Sequence, residues 1–564
     1  MKKRRIFCIA LVSAVLAAGC AETNQTTKET EIKKNASENN EACMTPFGRY
    51  DQTITYTLGN TTGSNRSNMP KGDTYEDNAY TRYLKKVINV QNQDVFEGEN
   101  GSSYEEMAAI AISSNSIPDI MLVTKEQLDE LVSKQMIQPL DEAYENCASD
   151  KIKEMYDSYG SQIWSGCTYD GKIMALPSTN IDGGPSLLWL RKDWMDKLHL
   201  EEPETISDVY DIISAFTQKD PGNNGKGKTV GLLCDSNLTG TECGFGSQFQ
   251  TDIIFAASGA FPKNWIKNSE GEVVYGSVQP EVKSALKTLR QWYDAGVLDK
   301  DFLLRTTNNN IDLVEEGRSG SFFGLWWSPN NPLMNAMVNN PKAEWVPYLI
   351  ETDENGTVRC AATNPTDGKY IVVRKGYKHP EVVAKILSVL FDSERYNTAG
   401  DFKTDEIEAY YRNNVDPTAR PLSVNVDYRD AVTRCYKNLS DTLSGKRKEE
   451  DLNVLEMSYY ESCRNYLDKG IDETAEDWAA YMSRVKSFEV IENGNVEQVE
   501  SLFFGTTDTM EVKWWKLKSM EKQAYLEIIT GEKPLEYFDE FVASWKQEGG
   551  DAITEEVRVQ LSEK

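Results

Sequence analysis

Ile117-Pro118-Asp119-Ile120-Met121-Leu122-Val123 is a short apolar run entered through a proline. Its length and its β-branched residues read as a buried strand. Glu105 to Ile112 before it has helical spacing, and Leu128, Leu131 and Val132 after it form a helical stripe. A buried strand set between helices is the unit of an α/β fold with a mostly parallel sheet. The pattern spreads in both directions. Thr53 to Leu58 alternates like a first strand, and Gly171-Lys172-Ile173-Met174-Ala175-Leu176-Pro177 is a strand after a turn, stopped by proline. Helical stripes recur at Ile206, Val209, Tyr210, Ile213 and Phe216, and again at Val282, Ala285, Leu286, Leu289, Trp292 and Tyr293. Ser321 to Trp327 is a strand and loop. Tyr370 to Val373 is a strand leading into a helix over Val382 to Phe391. The end of the chain is helical, with Leu535, Phe538, Phe541, Val542 and Trp545 on one face and Gly549-Gly550 as the stop.

The amino terminus carries a different message. Lys2, Lys3, Arg4 and Arg5 precede an apolar stretch over residues 6 to 18, the layout of a secretory signal. It ends in Leu16-Ala17-Ala18-Gly19-Cys20. Small residues before a cysteine resemble the bacterial lipobox, which makes Cys20 the lipidated first residue of a mature chain held on the outer face of the cell membrane. Residues 1–19 are then the signal peptide. Residues 20–48, rich in Glu, Lys, Asn and Thr and poor in aromatics, read as a disordered tether.

About 520 residues remain, more than one core accommodates, so two or three lobes are expected. The formal charge is −28. Such a surface repels phosphate backbones and argues against nucleic-acid binding. No later segment has eighteen consecutive apolar residues, so no membrane-spanning helix is expected. The ten cysteines form no CxxC pair, and there are only two histidines, His199 and His379. That argues against a zinc site of the usual spacing. Cys234 and Cys243 are close enough in sequence to bridge, and export permits disulfides, but free thiols are the preferred reading.

Several stretches, in order, resemble the family 1 extracellular solute-binding proteins, the sugar-binding subunits of ABC importers, and within them the large lipoproteins that serve oligosaccharide uptake. Ile117 to Met121 resembles the family's first-lobe strand, and Tyr169 to Pro177 its first hinge crossing. Leu190-Arg191-Lys192-Asp193-Trp194-Met195-Asp196-Lys197-Leu198 resembles the opening of the second lobe. Asp220-Pro221-Gly222-Asn223-Asn224-Gly225-Lys226 is similar to its calcium loop, and Ser321 to Trp327 to the strand that delivers a sugar-stacking tryptophan. Phe541 to Trp545 with Gly549-Gly550-Asp551 fits the tail. The resemblance implies a two-lobed, type II periplasmic-binding-protein-like α/β fold with hinge strands and a helical carboxyl-terminal extension. It implies a first lobe of 50–178 and 368–450 and a second of 179–360 and 451–564. It also implies a non-catalytic monomer that passes its ligand to the transmembrane subunits of an ABC permease.

A neutral sugar offers an apolar CH face and a ring of hydroxyls, and asks for flat aromatics and amide or carboxylate partners. Twelve Trp and 27 Tyr supply the first. If the segment is extended, Trp326 and Trp327 point to opposite faces, so one reaches the cleft and Trp327 is preferred. Trp189, flanked by Leu188 and Leu190, and Trp265, on a loop, are further candidates that packing could equally claim. Asn60 and Thr62 follow the first strand, where open α/β sheets bind ligands. Asn364 and Asp367 sit at the second crossing. In the loop, Asp220, Asn224 and the carbonyl of Lys226 fall at calcium-ligand positions, but Gly222 and Lys228 occupy positions that call for oxygens, so a metal-free turn is preferred and no cofactor is expected. Two rival readings remain. An exported glycoside hydrolase would use the same aromatics with a carboxylate pair, and a ligand-sensing lipoprotein would dock on a membrane kinase. Fixed counter-charges for a peptide ligand are not evident.

Overall fold

A computed structural model describes residues 41–63, 66–240, 248–396, 405–470 and 474–562. Cys20, the signal sequence, most of the expected tether and Cys243 lie outside the described residues. No described helix is long and apolar enough to cross a membrane.

The first lobe is built on a five-stranded sheet. Its order is Val90–Glu99, Ile54–Thr62, Ile120–Val123, Thr366–Val373, Leu176–Thr179. The first three strands are parallel, and Thr366–Val373 returns antiparallel between Ile120–Val123 and Leu176–Thr179. Ile120, Met121, Leu122 and Val123 are all buried, because helices cover both faces of the sheet centre. Local signals set the helices. Asn78 caps Ala79–Val87 and Thr124 caps Lys125–Ser133, each through a reciprocal capping box. The core joins residues 42 to 176 with residues 370 to 428.

The second lobe departs from the expectation of parallel sheets. Its sheet has three antiparallel strands, Ser321–Gly324, Leu187–Arg191 and Trp345–Tyr348. Leu187–Arg191 is buried on both faces, and each face packs a separate core. Leu188 and Leu190 face one that includes the helices Ile206–Lys219 and Glu281–Ala295 and the tail helices Asp508–Thr530, Tyr537–Trp545 and Asp551–Ser562. Leu187 and Trp189 face the other, which takes in Val432, Trp478, Phe488 and Ile491. The helix Ala431–Leu443, expected with the first lobe, therefore packs its Val432 into the second; the first-lobe core ends at Tyr428.

Two further differences have local causes. Residues 41 to 48, expected as tether, are packed on the first lobe. Lys385, fully buried, donates to the carbonyls of Ala42 (2.8 Å) and Thr45 (2.6 Å), and the Cys147 thiol donates to the Cys43 carbonyl (3.1 Å). One lysine side chain thus satisfies the open carbonyls of a short turn. At the other end, Gly549 at φ 142° breaks the helix as expected, but a new helix, Asp551–Ser562, follows at once. Gly550 lies against the buried Trp545, and a Cβ there would sit 2.0 Å from the indole ring. Trp545 in turn stacks on Tyr275 at 5.4 Å. Gly550→Ala is expected to lower stability by about 1–3 kcal/mol, the cost of overpacking a filled core. Thermal unfolding followed by circular dichroism checks this; an unchanged midpoint would mean that the tail packing is soft.

Candidate ligand cleft

Three segments carry the chain between the lobes: residues 179 to 187, 361 to 366 and 428 to 432. Main-chain hydrogen bonds hold them side by side. Thr179 N–H donates to Asn425 O (2.7 Å), Asn180 N–H to Pro365 O (2.9 Å) and Asp182 N–H to Arg429 O (2.7 Å). The Asp182 carboxylate gathers the surroundings. It accepts from the Gly184 N–H (2.9 Å), the Thr363 hydroxyl (3.3 Å) and the Gln498 amide. Arg429 bonds Gln498 Oε1 (3.4 Å) and Glu500 (2.8 Å). Gln498 lies on Asn495–Val499, which pairs in parallel with Thr357–Ala361. None of Asp182, Arg429 or Gln498 stood out in the sequence, because partners hundreds of positions apart leave no local pattern.

Four of the expected site residues border these crossings. Trp326 and Trp327 are in a turn just after Ser321–Gly324, so the opposite-face argument for an extended pair does not apply. Trp326 is 8% exposed. The Arg484 guanidinium covers its ring at 4.3 Å and also lies 4.2 Å from the Tyr459 ring, and Phe488 meets the indole edge. Gly183 passes so close to the indole that a Cβ would lie 2.6 Å from Nε1. Trp327 is only half-buried. Asn364 accepts from the Thr366 N–H (3.2 Å) and Asp367 from the Lys369 N–H (3.1 Å), both turn bonds at the second crossing. Burial raises the Asp367 carboxyl above its ordinary pKa.

Asn60 and Thr62 stand at the carboxyl end of Ile54–Thr62 in the first lobe. Asn60 is buried. Its Nδ2 donates to Asp94 (2.8 Å), while its Oδ1 has no hydrogen-bond partner. Asn180 Nδ2 at the first crossing is likewise buried and unpartnered. Asp94, missed in the sequence, also accepts from Asn92 (2.8 Å). Its burial, the largest influence, pushes the carboxyl up to about 6 against the pull of the two amides, with Glu76 and Glu97 adding repulsion. Thr62 is half-buried, and its carbonyl accepts from Asn100.

Two candidates belong to the cores instead. Trp189 is fully enclosed on the central strand of the second-lobe sheet, in register between Phe322 and Pro347. Trp265 is 4% exposed and sits among Tyr275, Trp514 and Phe503 under the tail helices. Neither presents a ring face to a ligand, and the cleft roles expected for them are withdrawn.

The loop after Ile206–Lys219 closes on itself. The Asp220 carboxylate accepts from the Thr229 hydroxyl, the Gly225 N–H (2.9 Å) and the Asn224 N–H (2.9 Å), and these bonds, Thr229 foremost, lower its pKa. The Asn224 amide donates to Thr229 (3.0 Å) and the Gly317 carbonyl (3.1 Å). Gly222 offers no side-chain oxygen, and Lys228 brings a cation. The donors of Asp220, Asn224 and the Lys226 carbonyl therefore fall short of a calcium cage, which needs six or more oxygens. A cavity of about 320 Å³ adjoins this loop, lined by Arg191, Trp194 and Trp345 among others. Arg191 is already paired with Asp193 (2.6 Å).

The model of the bacterial extracellular solute-binding proteins matches residues 66–394. The polygalacturonan/rhamnogalacturonan-binding protein YtcQ of Bacillus subtilis strain 168 is 23% identical over 390 residues, 69% of this chain and 70% of its own. Lipoprotein LipO of the same strain is 21% identical over 464 residues, 81% of this chain and 84% of its own. The crystal structure of the alginate-binding protein AlgQ2 without calcium ion has a TM-score of 0.57 at 14% identity, covering 91% of this chain and 98% of its own, and shows the same two-lobed fold. Matched by that model over more than half of its length, the chain belongs to the bacterial extracellular solute-binding protein family.

Proposed function

We propose that the chain is the substrate-binding lipoprotein of an ABC importer, and that it captures a carbohydrate, an oligosaccharide, between its lobes and delivers it unaltered to a membrane permease. One observation carries the carbohydrate reading. A half-buried Trp327 borders the crossings, where Asn180 Nδ2 is buried without a protein partner, and Asn60 Oδ1, at the carboxyl end of Ile54–Thr62, is also buried and unpartnered. Buried polar atoms are costly to leave unpaired. Sugar hydroxyls both donate and accept, and suit a free carbonyl oxygen and a free amide N–H together. The name of YtcQ, a polygalacturonan/rhamnogalacturonan-binding protein, supports the same class. Contacts to both lobes exist only when they close, so ligand favours the closed form. The chain acts as a monomer, and lipid on Cys20 holds it to the outer face of the membrane; the name of LipO supports that anchoring.

Calorimetry against oligosaccharides from plant, host and yeast glycans is expected to give saturable binding with no released products. Turnover of a glycosidic bond would reject the proposal. Against the ligand so found, Trp327→Ala is expected to cost at least about 0.5–1.5 kcal/mol, the range of ring stacking; a smaller loss would remove Trp327 from the site. Mass spectrometry of membrane-extracted protein is expected to find diacylglycerol on Cys20, and an unmodified Cys20 would end the anchoring part of the proposal.

Asp94, the partner of Asn60, gives a pH test. Its folded pKa of about 6 lies above that of an unfolded aspartate. The stability that this carboxyl contributes as an acid is therefore complete below about pH 4 and lost as pH rises through about 6. Asp94→Asn is expected to gain on the wild type by on the order of 1 kcal/mol between pH 4.5 and 7.5 (roughly a one-unit effect after screening). Urea unfolding at the two pH values measures it, and parallel behaviour would show that Asp94 is fully solvated.

A further inference from the structure

Among the described residues, one group of three metal-type donors converges. Cys43 Sγ, a ring nitrogen of His379 and a carboxylate oxygen of Glu381 lie within 4.8 Å of one another. The first comes from the docked amino-terminal turn and the other two from the residues that lead into the helix Val382–Ser388 in the first lobe, Glu381 being its N-cap. His379 Nδ1 is 3.1 Å from Glu381 Oε1. The Tyr50 hydroxyl donates to the same oxygen at 2.7 Å. Tyr50 and Tyr377 pack edge-on against the imidazole, with centroids at 5.9 and 6.1 Å. Both protein-side donors are thus oriented by neighbours, as outer-shell groups orient metal ligands. The turn is fixed as well, by the three bonds from Lys385 and Cys147 to its carbonyls.

We propose that Cys43, His379 and Glu381 form a zinc-binding site that fastens the amino-terminal segment to the first lobe. Thiolate, imidazole and carboxylate are the three ligand types that zinc accepts, and three of them leave a fourth position for water. Bonds of about 2.0–2.3 Å place tetrahedral ligand atoms roughly 3.3–3.8 Å apart, so the donors need to close by about 1.5 Å at most. Rotation of the half-buried Cys43 side chain supplies that. Two anionic ligands offset the dication beside the Lys385 ammonium, whose hydrogens already point at carbonyls. On binding, the Sγ–H bond breaks, the proton goes to solvent and the sulfur pair forms the bond to zinc. The sequence spacing hid this site, since its ligands are neither a CxxC pair nor near in the chain.

The test uses the full exported chain, stripped with chelator and titrated with cobalt(II), then with zinc in competition. One equivalent of cobalt is expected to give a thiolate-to-cobalt charge-transfer absorption that zinc abolishes. Cys43→Ser is expected to remove the band. His379→Ala is expected to weaken binding at least tenfold, and Cys435→Ser to leave both unchanged. No such band, or a band that survives Cys43→Ser, overturns the proposal; so does equal weak binding by all variants, the mark of surface carboxylates. Should Cys43→Ser fail to fold, alkylation of Cys43 in the wild type decides, read by peptide mass mapping. Zinc is expected to slow it at least tenfold, and an unchanged rate overturns the proposal.

Discussion

The structure depends on how three strips of main chain lie against one another between the lobes. The bonds at Thr179–Asn425, Asn180–Pro365 and Asp182–Arg429 are made by backbone atoms, and the Thr179 hydroxyl adds a bond to the Asn425 carbonyl (3.2 Å). These bonds fix the path. Each strip must leave one core and enter the other at the same place, or the neighbouring bonds fail together. Asp182 adds a side-chain knot to this seam by accepting from Gly184, Thr363 and Gln498. A carboxylate with three donors is held firmly. The seam joins two bodies whose apolar cores share no residues.

Each lobe solves its burial problem differently. The first covers a parallel-centred sheet with helices on both faces. The second covers a small antiparallel sheet by wrapping it: the tail helices close one face and the segment from Val432 to Ile491 closes the other. This explains why so much of the carboxyl-terminal third is helical. Three short strands have two apolar faces and little else, and helices from late in the chain supply the missing cover.

Much of this was legible in the sequence. The continuous apolar run at Ile120–Val123 marked a strand buried on both faces, and the stripes at Val209 to Phe216 and Val282 to Trp292 marked helices that bury all of those stripe residues but Tyr210, which is half-buried. Periodicity reports which side of an element is apolar. It does not report what covers that side. Trp189 and Trp265 were ambiguous for that reason, and their rings were claimed by Phe322 and Trp345 neighbours and by tail helices that no local pattern connects to them. The turn around Trp326 defeated an alternation argument, and the seam partners of Asp182 lie as far away as Gln498. Asp94 carried no signal at all, since an aspartate in a strand looks solvated until its neighbours are known. The packed turn at residues 41 to 48 was hidden because what holds it lies far along the chain, at Cys147 and Lys385.

That turn makes the two lobes unequal. Residue 41 leads out from the first lobe alone, and nothing of the second lobe is fixed to it. Whatever grips the chain upstream therefore grips one half of the clamp. The second lobe, with its wrapped sheet and long tail helices, is joined to that half through the three crossings alone among the segments described above.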